Sequence, residues 1–400
     1  LKKRVVIIGG GSSALMLGCE LNPEKFDITI YEKNAALGRK FLVAGDGGLN
    51  LTHSENSKNF IHRYTPFTFL EKAFCNFTNL DLINWLQDIG ITTFVGSSGR
   101  VFPVKGIKPV EAFNFFHEKI KKNAVSILSR HEWLGFSKNN HLVFGHNKNL
   151  IEIESDYIIF CLGGASWSIT GSKGDWLDYF RKKNITARPF EASNCAFKIN
   201  WGDELIKKIE GKVLKNISIT CGNKTHFGEI MLTRFGIEGS GIYPLSPEIR
   251  KQLNKKGSAE ILIDLKLGVT SEKIIEKLQT IILKKGLTNN LKKLLNLSSV
   301  QIQLLKTHLS KEDFMSLSKL AHNIKHFKLA IIDSASVDES ISTVGGIALS
   351  EIDQNFELKK LRDHFAIGEM LDYDAPTGGY LLQSCFSMAN YVAHYLNSKV

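Results

Sequence analysis

The chain has 400 residues, 43% hydrophobic and 10% aromatic, enough for two or three domains with cores of their own. Charged residues make up 23% and prolines number only 8, which excludes a disordered or collagen-like chain; no apolar run reaches the roughly 18 residues of a membrane span. The net charge is +11, with eleven Lys against four acids in residues 270–328, so RNA is one expected partner and a solvated helical surface the plainer explanation.

Lys2, Lys3 and Arg4 precede an apolar stretch that reaches Leu17-Gly18-Cys19 and loosely imitates a lipoprotein signal. Its glycines have a better explanation, so no signal peptide is expected. Arg4–Ile8 is a β-branched run of the kind that forms a buried parallel strand. It runs into Gly9-Gly10-Gly11-Ser12-Ser13-Ala14, a GxGxxA turn, after which Leu15–Leu21 reads as helix. Phe26–Tyr31 reads as a second strand ending at Glu32, 23 residues after Gly9. This is the layout of a dinucleotide-binding βαβ unit.

The residue types suit that role. Gly9 permits the tight turn, Gly11 lets backbone approach a pyrophosphate, and Ala14 lets the helix pack closely on the strand. Ser12 and Ser13 belong to the turn, and the N-terminus of the helix that follows faces the phosphates with free N–H groups and its positive pole. Glu32, followed by Lys33, accepts hydrogen bonds from ribose hydroxyls. A nicotinamide enzyme could show the same fifty residues. The next segment discriminates, because Leu37-Gly38-Arg39-Lys40 leads into a second glycine-rich loop, Gly45-Asp46-Gly47-Gly48-Leu49-Asn50-Leu51-Thr52-His53. Such a loop can line a bound FAD, with Asn50 and Thr52 as hydrogen-bonding groups.

Farther on, Gly99–Pro103 is a compact motif, and Val125–Leu128, Trp133, Leu142–Phe144 and Ile151–Ile153 suggest a small antiparallel sheet. Tyr157–Leu162 is a buried strand ending in Gly163-Gly164, and Thr170–Asp175 follows. Residues 191–268 turn to short strands, and 269–328 read as about three amphipathic helices. Strands return near Leu329–Ile332 and Gly346–Leu349. His364–Ile367 ends at Gly368-Glu369, and a last helix begins near Tyr380. The expected fold is α/β: an FAD-binding Rossmann domain over 1–190, interrupted by an inserted β-rich and helical substrate domain at 191–328, and completed by 329–400. Six cysteines stand singly, with no CxxC pair and no Cys/His metal spacing. Reduced, mostly buried thiols in a cytoplasmic protein with no metal centre are expected.

RVVIIGGGSSALM, EKNAALGRKFLVAGDGGLNLTHSE, GRVFP, FCLGGASWSITGSKGD, LTRFGIEGSGIYPLS, STVGGIALSEI and FAIGEMLDYDAPTGGYLLQ fall in order across nearly the whole chain. Together they resemble the BaiN-like family of NAD(P)/FAD-dependent oxidoreductases, also labelled aminoacetone-oxidase-like flavoproteins. The resemblance implies a glutathione-reductase-type FAD fold with an inserted substrate domain. It implies cofactor contacts from Gly9, Gly11, Ala14 and Glu32, and from Arg39, Lys40, Gly45, Gly47, Asn50 and Thr52 in the second loop. It also implies a backbone contact from Trp133, strand-end contacts from Gly163 and Gly164, and a ribityl-holding role for Glu369 after Gly368. Thr377, Gly378, Gly379 and Tyr380 would begin a helix facing the flavin's pyrimidine edge. Many members read Gly-Arg-Cys-Asn where this chain has Gly47-Gly48-Leu49-Asn50, which marks a divergent subfamily.

The activity so implied is hydride transfer between FAD and a small organic substrate, by amine oxidation or C=C reduction, with NAD(P)H as a transient donor. Trp167, Arg234 and Tyr243 are the substrate-side candidates, and no residue stands out as a general base. The alternatives are reduction of uridine in ribosomal RNA, to which some members of the family are linked, and a flavin-binding protein without enzymatic activity.

Overall fold

The computed structural model describes residues 1–44, 48–279 and 287–400. They divide into two compact units, one of residues 1–192 and 341–400, the other of residues 193–340. Among them no helix is long and apolar enough to cross a membrane.

The first unit is built on a five-stranded, wholly parallel sheet. Its order is His364–Ala366, Tyr157–Phe160, Lys3–Ile8 (β1), Phe26–Glu32 (β2) and Ser126–Ser129. Parallel strands are covered on both faces, and the central ones accordingly read as unbroken apolar runs: Val5 to Ile8 and all of Tyr157–Phe160 are buried. Helix α1 (Ser12–Glu20) makes the crossover from β1 to β2, with Ser13 through Cys19 buried. The C-terminal helix Tyr380–Lys399 packs on α1 and buries most of its first fourteen residues.

One expected element falls elsewhere. Ser126–Ser129 joins the parallel sheet, pairing with β2 from Thr29 to Glu32. The small antiparallel sheet consists only of Glu132–Phe136, Leu142–His146 and Asn149–Ile153. The sequence pattern cannot separate these cases, because a four-residue edge strand has the same β-branched signature in either sheet.

The second unit carries a seven-stranded antiparallel sheet, ordered Phe327–Ile331, Ala259–Asp264, Val213–Cys221, Lys224–Leu232, Gly236–Glu238, Phe197–Lys198 and Asp333–Ser334. The strand near Leu329 therefore belongs to this unit. It pairs with Ala259–Asp264 over five residues, so the boundary expected at 328 lies at 340. The helical part holds five described helices where three were expected: Ser271–Gln279, Leu287–Leu295, Ser299–His308, Lys311–Met315 and Leu317–Lys325. Ser298 and Ser310 cap two of them through their side chains and split what reads as longer helix.

Candidate functional site

Strand ends put the expected residues in one place. The carboxyl edge of the parallel sheet carries Gly9 after β1, Glu32 at the end of β2, Gly163 and Gly164 after Tyr157–Phe160, and Gly368 and Glu369 after His364–Ala366. Ligands of open α/β sheets bind along that edge.

The first turn is tight and open at once. Gly9 has φ +97°, and a Cβ there would lie 2.4 Å from the Cys161 carbonyl oxygen. Gly11 is the N-cap of α1 and offers no side-chain cap; a Cβ on it would meet nothing within 4 Å. Ala14 is fully buried, and Ser13 lies against Gly368, whose Cβ would come 2.7 Å from its Oγ. Burial raises the pKa of the Cys385 thiol, and the neighbouring Ser13 and Ser12 hydroxyls act against the rise.

Glu32 is buried and turned back onto the turn. Its Oε2 accepts from the Gly10 N–H at 2.8 Å, and its Oε1 accepts from the Asn34 N–H and side-chain amide at 2.7 and 2.6 Å. Arg39 donates to Asn34 Oδ1 and to the Ile169 carbonyl. Lys33 and Arg39 line a polar cavity of about 480 Å³ with Asn34, Glu132, Ser168, Ile169, Gly171, Lys173 and Asp175.

Deeper in the cleft, Lys40 donates to Ser166 Oγ at 2.7 Å and to Glu369 Oε2 at 3.0 Å. Glu369 also accepts from the Thr343 N–H at 3.0 Å. Gly164 fits between these groups, since its Cβ would fall 2.1 Å from Thr343 Oγ1 and 2.8 Å from the Glu369 carboxyl carbon. Ser166 and Thr343 are functional candidates that the sequence reading quoted inside motifs without giving them a role. Gly163 adopts φ +70° beside Ser172.

The second loop is only partly described. Gly45 and Gly47 lie outside the described residues. Asn50 holds a buried Oδ1 with no hydrogen-bond partner among the described residues. Thr52 differs from expectation, because its buried hydroxyl donates to Gln383 Oε1 at 2.6 Å and is committed to the C-terminal helix. Trp133 is likewise core: its ring lies among Phe136, Phe160, Tyr179 and Phe180, and its backbone sits in the antiparallel sheet opposite Phe144.

The turn Thr377-Gly378-Gly379 delivers the C-terminal helix to the same neighbourhood as the Thr52–His53 strand. Gly379, its N-cap at φ +93°, would drive a Cβ to 2.5 Å from Thr52 Cα. Tyr380 does not present its hydroxyl to a cleft. The ring stacks on His53 at 5.4 Å and the hydroxyl donates to Glu55, which is also held by Arg63 at 2.8 Å. Burial works against the charge on Glu55, yet the Arg63 and Tyr380 hydrogen bonds outweigh it and hold the carboxyl below its ordinary value.

The substrate-side candidates fall in both units. Trp167 has left-handed backbone at φ +58° and is 37% exposed. Arg234 and Tyr243 belong to the second unit. Arg234 is mostly exposed and pairs loosely with Glu210 at 3.4 Å, while Tyr243 opens the short turn Tyr243–Leu245 and burial raises its hydroxyl's pKa. All six cysteines are free thiols and only Cys75 is exposed.

These residues fit a dinucleotide. Gly11 leaves open space at an uncapped helix N-terminus, the place and polarity for a pyrophosphate. Asn50 supplies a buried acceptor that lacks a donor among the described residues. The fold is that of a Rossmann-type α/β protein.

The HI0933-like protein Rossmann domain matches residues 3–395, and the chain belongs to that family. It is 24% identical over 394 residues to the ribosomal RNA dihydrouridine synthase of Haemophilus influenzae, covering 96% of each chain. It is 21% identical over 400 residues to the 3-dehydro-bile acid delta(4,6)-reductase of Clostridium scindens, covering 95% of each. Among solved structures, 3-ketosteroid-delta4-(5alpha)-dehydrogenase of Rhodococcus jostii RHA1 shares the fold with a TM-score of 0.50 at 12% identity, over 98% of this chain and 96% of that one.

Proposed function

We propose that this chain is an FAD-dependent oxidoreductase that reduces a carbon–carbon double bond conjugated to a carbonyl in a small organic substrate. The observation that carries the cofactor assignment is the convergence of Gly9–Gly11, Glu32, Gly164 and Glu369 at one edge of a parallel sheet. On this reading α1 and its glycine turn hold the pyrophosphate, and Glu32 with Lys33 and Arg39 holds the adenosine end. Lys40, Asn50 and Glu369 face the flavin half, and Thr377 to Tyr380 bring the C-terminal helix to its pyrimidine edge.

The substrate class comes from what the two named relatives have in common. A uridine C5=C6 bond and a Δ4,6-diene beside a 3-oxo group are both conjugated to a carbonyl. Such a bond takes a hydride at the carbon β to the carbonyl and a proton at the α carbon; bound FAD supplies the hydride, and NAD(P)H is the reductant that restores it. Trp167, Arg234 and Tyr243 are the residues assigned to the substrate side.

Ribosomal RNA is the second reading. It is favoured by the relative named for that substrate and by Lys273, Lys292, Lys293 and Lys311, exposed cations with no carboxylate partner among the described residues. The rest of that basic excess is partly neutralised, since Lys319 pairs with Asp313, Lys325 with Asp264 and Lys328 with Glu260.

One experiment separates these. The purified chain, loaded with FAD and supplied with NADH or NADPH, is incubated with a 3-oxo-Δ4,6-steroid and, separately, with ribosomal RNA lacking dihydrouridine. Mass spectrometry should detect a gain of two hydrogens in the steroid. A gain in the RNA alone, falling steeply with salt, would establish the second reading. A protein that takes up no FAD would overturn both.

A further inference from the structure

Arg100 carries a charge with no counterpart among the described residues. The strand Arg100–Pro103 pairs antiparallel with Thr52–His53, placing Arg100 opposite His53 and Val101 opposite Thr52. Val101 and Thr52 are fully buried on one face of this ribbon, whereas Arg100 on the other face is only half-buried. Among the described residues its guanidinium has no hydrogen bond and no ion pair. Glu55 is already committed to Arg63 and Tyr380.

Its position sharpens the anomaly. A Cβ on Gly378 would lie 3.6 Å from Arg100 Nε, so the guanidinium sits at the start of the 20-residue C-terminal helix, which has no side-chain cap. A cation there meets the positive end of the helix and is repelled by it. Among the described residues, five unpaired donors and an uncapped helix turn thus converge with no carboxylate paired to them. His53 does not relieve this. Its Nδ1 accepts from the Glu55 N–H and its Nε2 lies 3.0 Å from the Ser98 carbonyl, so both ring nitrogens are already engaged.

We propose that Arg100 is an electrostatic residue for the bound flavin, placed to favour its reduced form through the negative charge that reduction leaves at the pyrimidine edge. This rests on the FAD reading above. Uptake of two electrons and one proton by the neutral oxidised ring leaves one negative charge, spread over N1 and the C2 carbonyl. A guanidinium and a helix N-terminus aimed at that charge stabilise the reduced state more than the oxidised one.

The test measures dissociation constants of oxidised and dithionite-reduced FAD for the full chain and three variants. Arg100→Gln should weaken reduced FAD at least tenfold more than oxidised FAD. That ratio corresponds to a fall of about 30 mV in the two-electron potential, read independently by dye equilibration. Arg100→Lys should keep most of the difference, and Lys105→Gln, which removes a nearby exposed charge, should change neither form. Equal weakening of both forms, or an unchanged potential in Arg100→Gln, overturns the role of Arg100 and leaves the FAD reading standing. A wild-type chain that binds no FAD overturns both.

Discussion

Gly9 and Gly11 stand two residues apart and are glycine for different reasons. At Gly9 the backbone demands it: φ is +97° and any Cβ would strike the Cys161 carbonyl. At Gly11 φ is an ordinary −82° and no described atom lies within 4 Å of where a Cβ would be, so no described neighbour requires glycine there. On the proposed FAD reading that space belongs to the pyrophosphate. Gly11→Ala should leave the stability of the FAD-free chain within about 0.5 kcal/mol of wild type, while weakening FAD at least tenfold. Gly9→Ala should lower stability by about 2 kcal/mol or more, from left-handed strain and a backbone clash. Denaturant unfolding and FAD titration measure the two quantities side by side. A Gly11→Ala chain that binds FAD like wild type would show that the pyrophosphate lies elsewhere.

Between elements, the Lys40–Glu369 pair ties the short helix Arg39–Ala44 to the end of the last parallel strand, with Ser166 and Thr343 completing the set. Glu369 is 8% exposed and Lys40 29%, so removing the cation strands a buried carboxylate. Lys40→Met should cost about 2 kcal/mol, and Lys40→Met combined with Glu369→Gln should cost less than the sum, a coupling that chemical unfolding of the FAD-free chain resolves. An additive result would mean that solvent answers Glu369 as well as Lys40 does. The sequence showed the glycines and the acid of this cleft, because β1, the turn and β2 are consecutive and their periodicities are local. It did not show the pair, whose members are 329 residues apart, or Thr343, which lies inside a glycine-rich motif. The same limit explains Ser126–Ser129 and Phe327–Ile331: each has a legible strand signature, but its sheet is decided by a partner far away in the chain. Thr52 and Trp133 show the converse, since the resemblance gives both a place beside the cofactor while their side chains serve the core. Arg100 was visible only as one charge in GRVFP; its meaning depends on Gly378, brought beside it by the fold.

At the scale of the whole chain, acid should loosen the first unit in two stages. His364 lies against Phe136 and Phe160 with its Nδ1 on the Arg362 carbonyl and a buried, unpartnered Nε2. Burial, the largest influence, lowers its pKa below the ordinary 6.5. The unfolded chain therefore takes up this proton first, and stability falls as the pH drops through and below 6.5 toward the folded value. Glu55 and Glu351 act lower down. Each is buried against its charge, but Arg63 and Tyr380 hold Glu55, and Thr186 and Lys360 hold Glu351, below the ordinary 4.5. Their contribution is complete above 4.5 and is lost as the pH falls from there through the folded values. Unfolding free energies measured from pH 8 to pH 3 should thus decline gently below about 6.5 and more steeply below about 4.5. His364→Phe should shrink the first decline to the part due to His308, whose pKa burial also lowers, while Glu55→Gln should flatten only the second. A first decline unchanged in His364→Phe would assign it to His308 alone and remove His364 from the two-stage account.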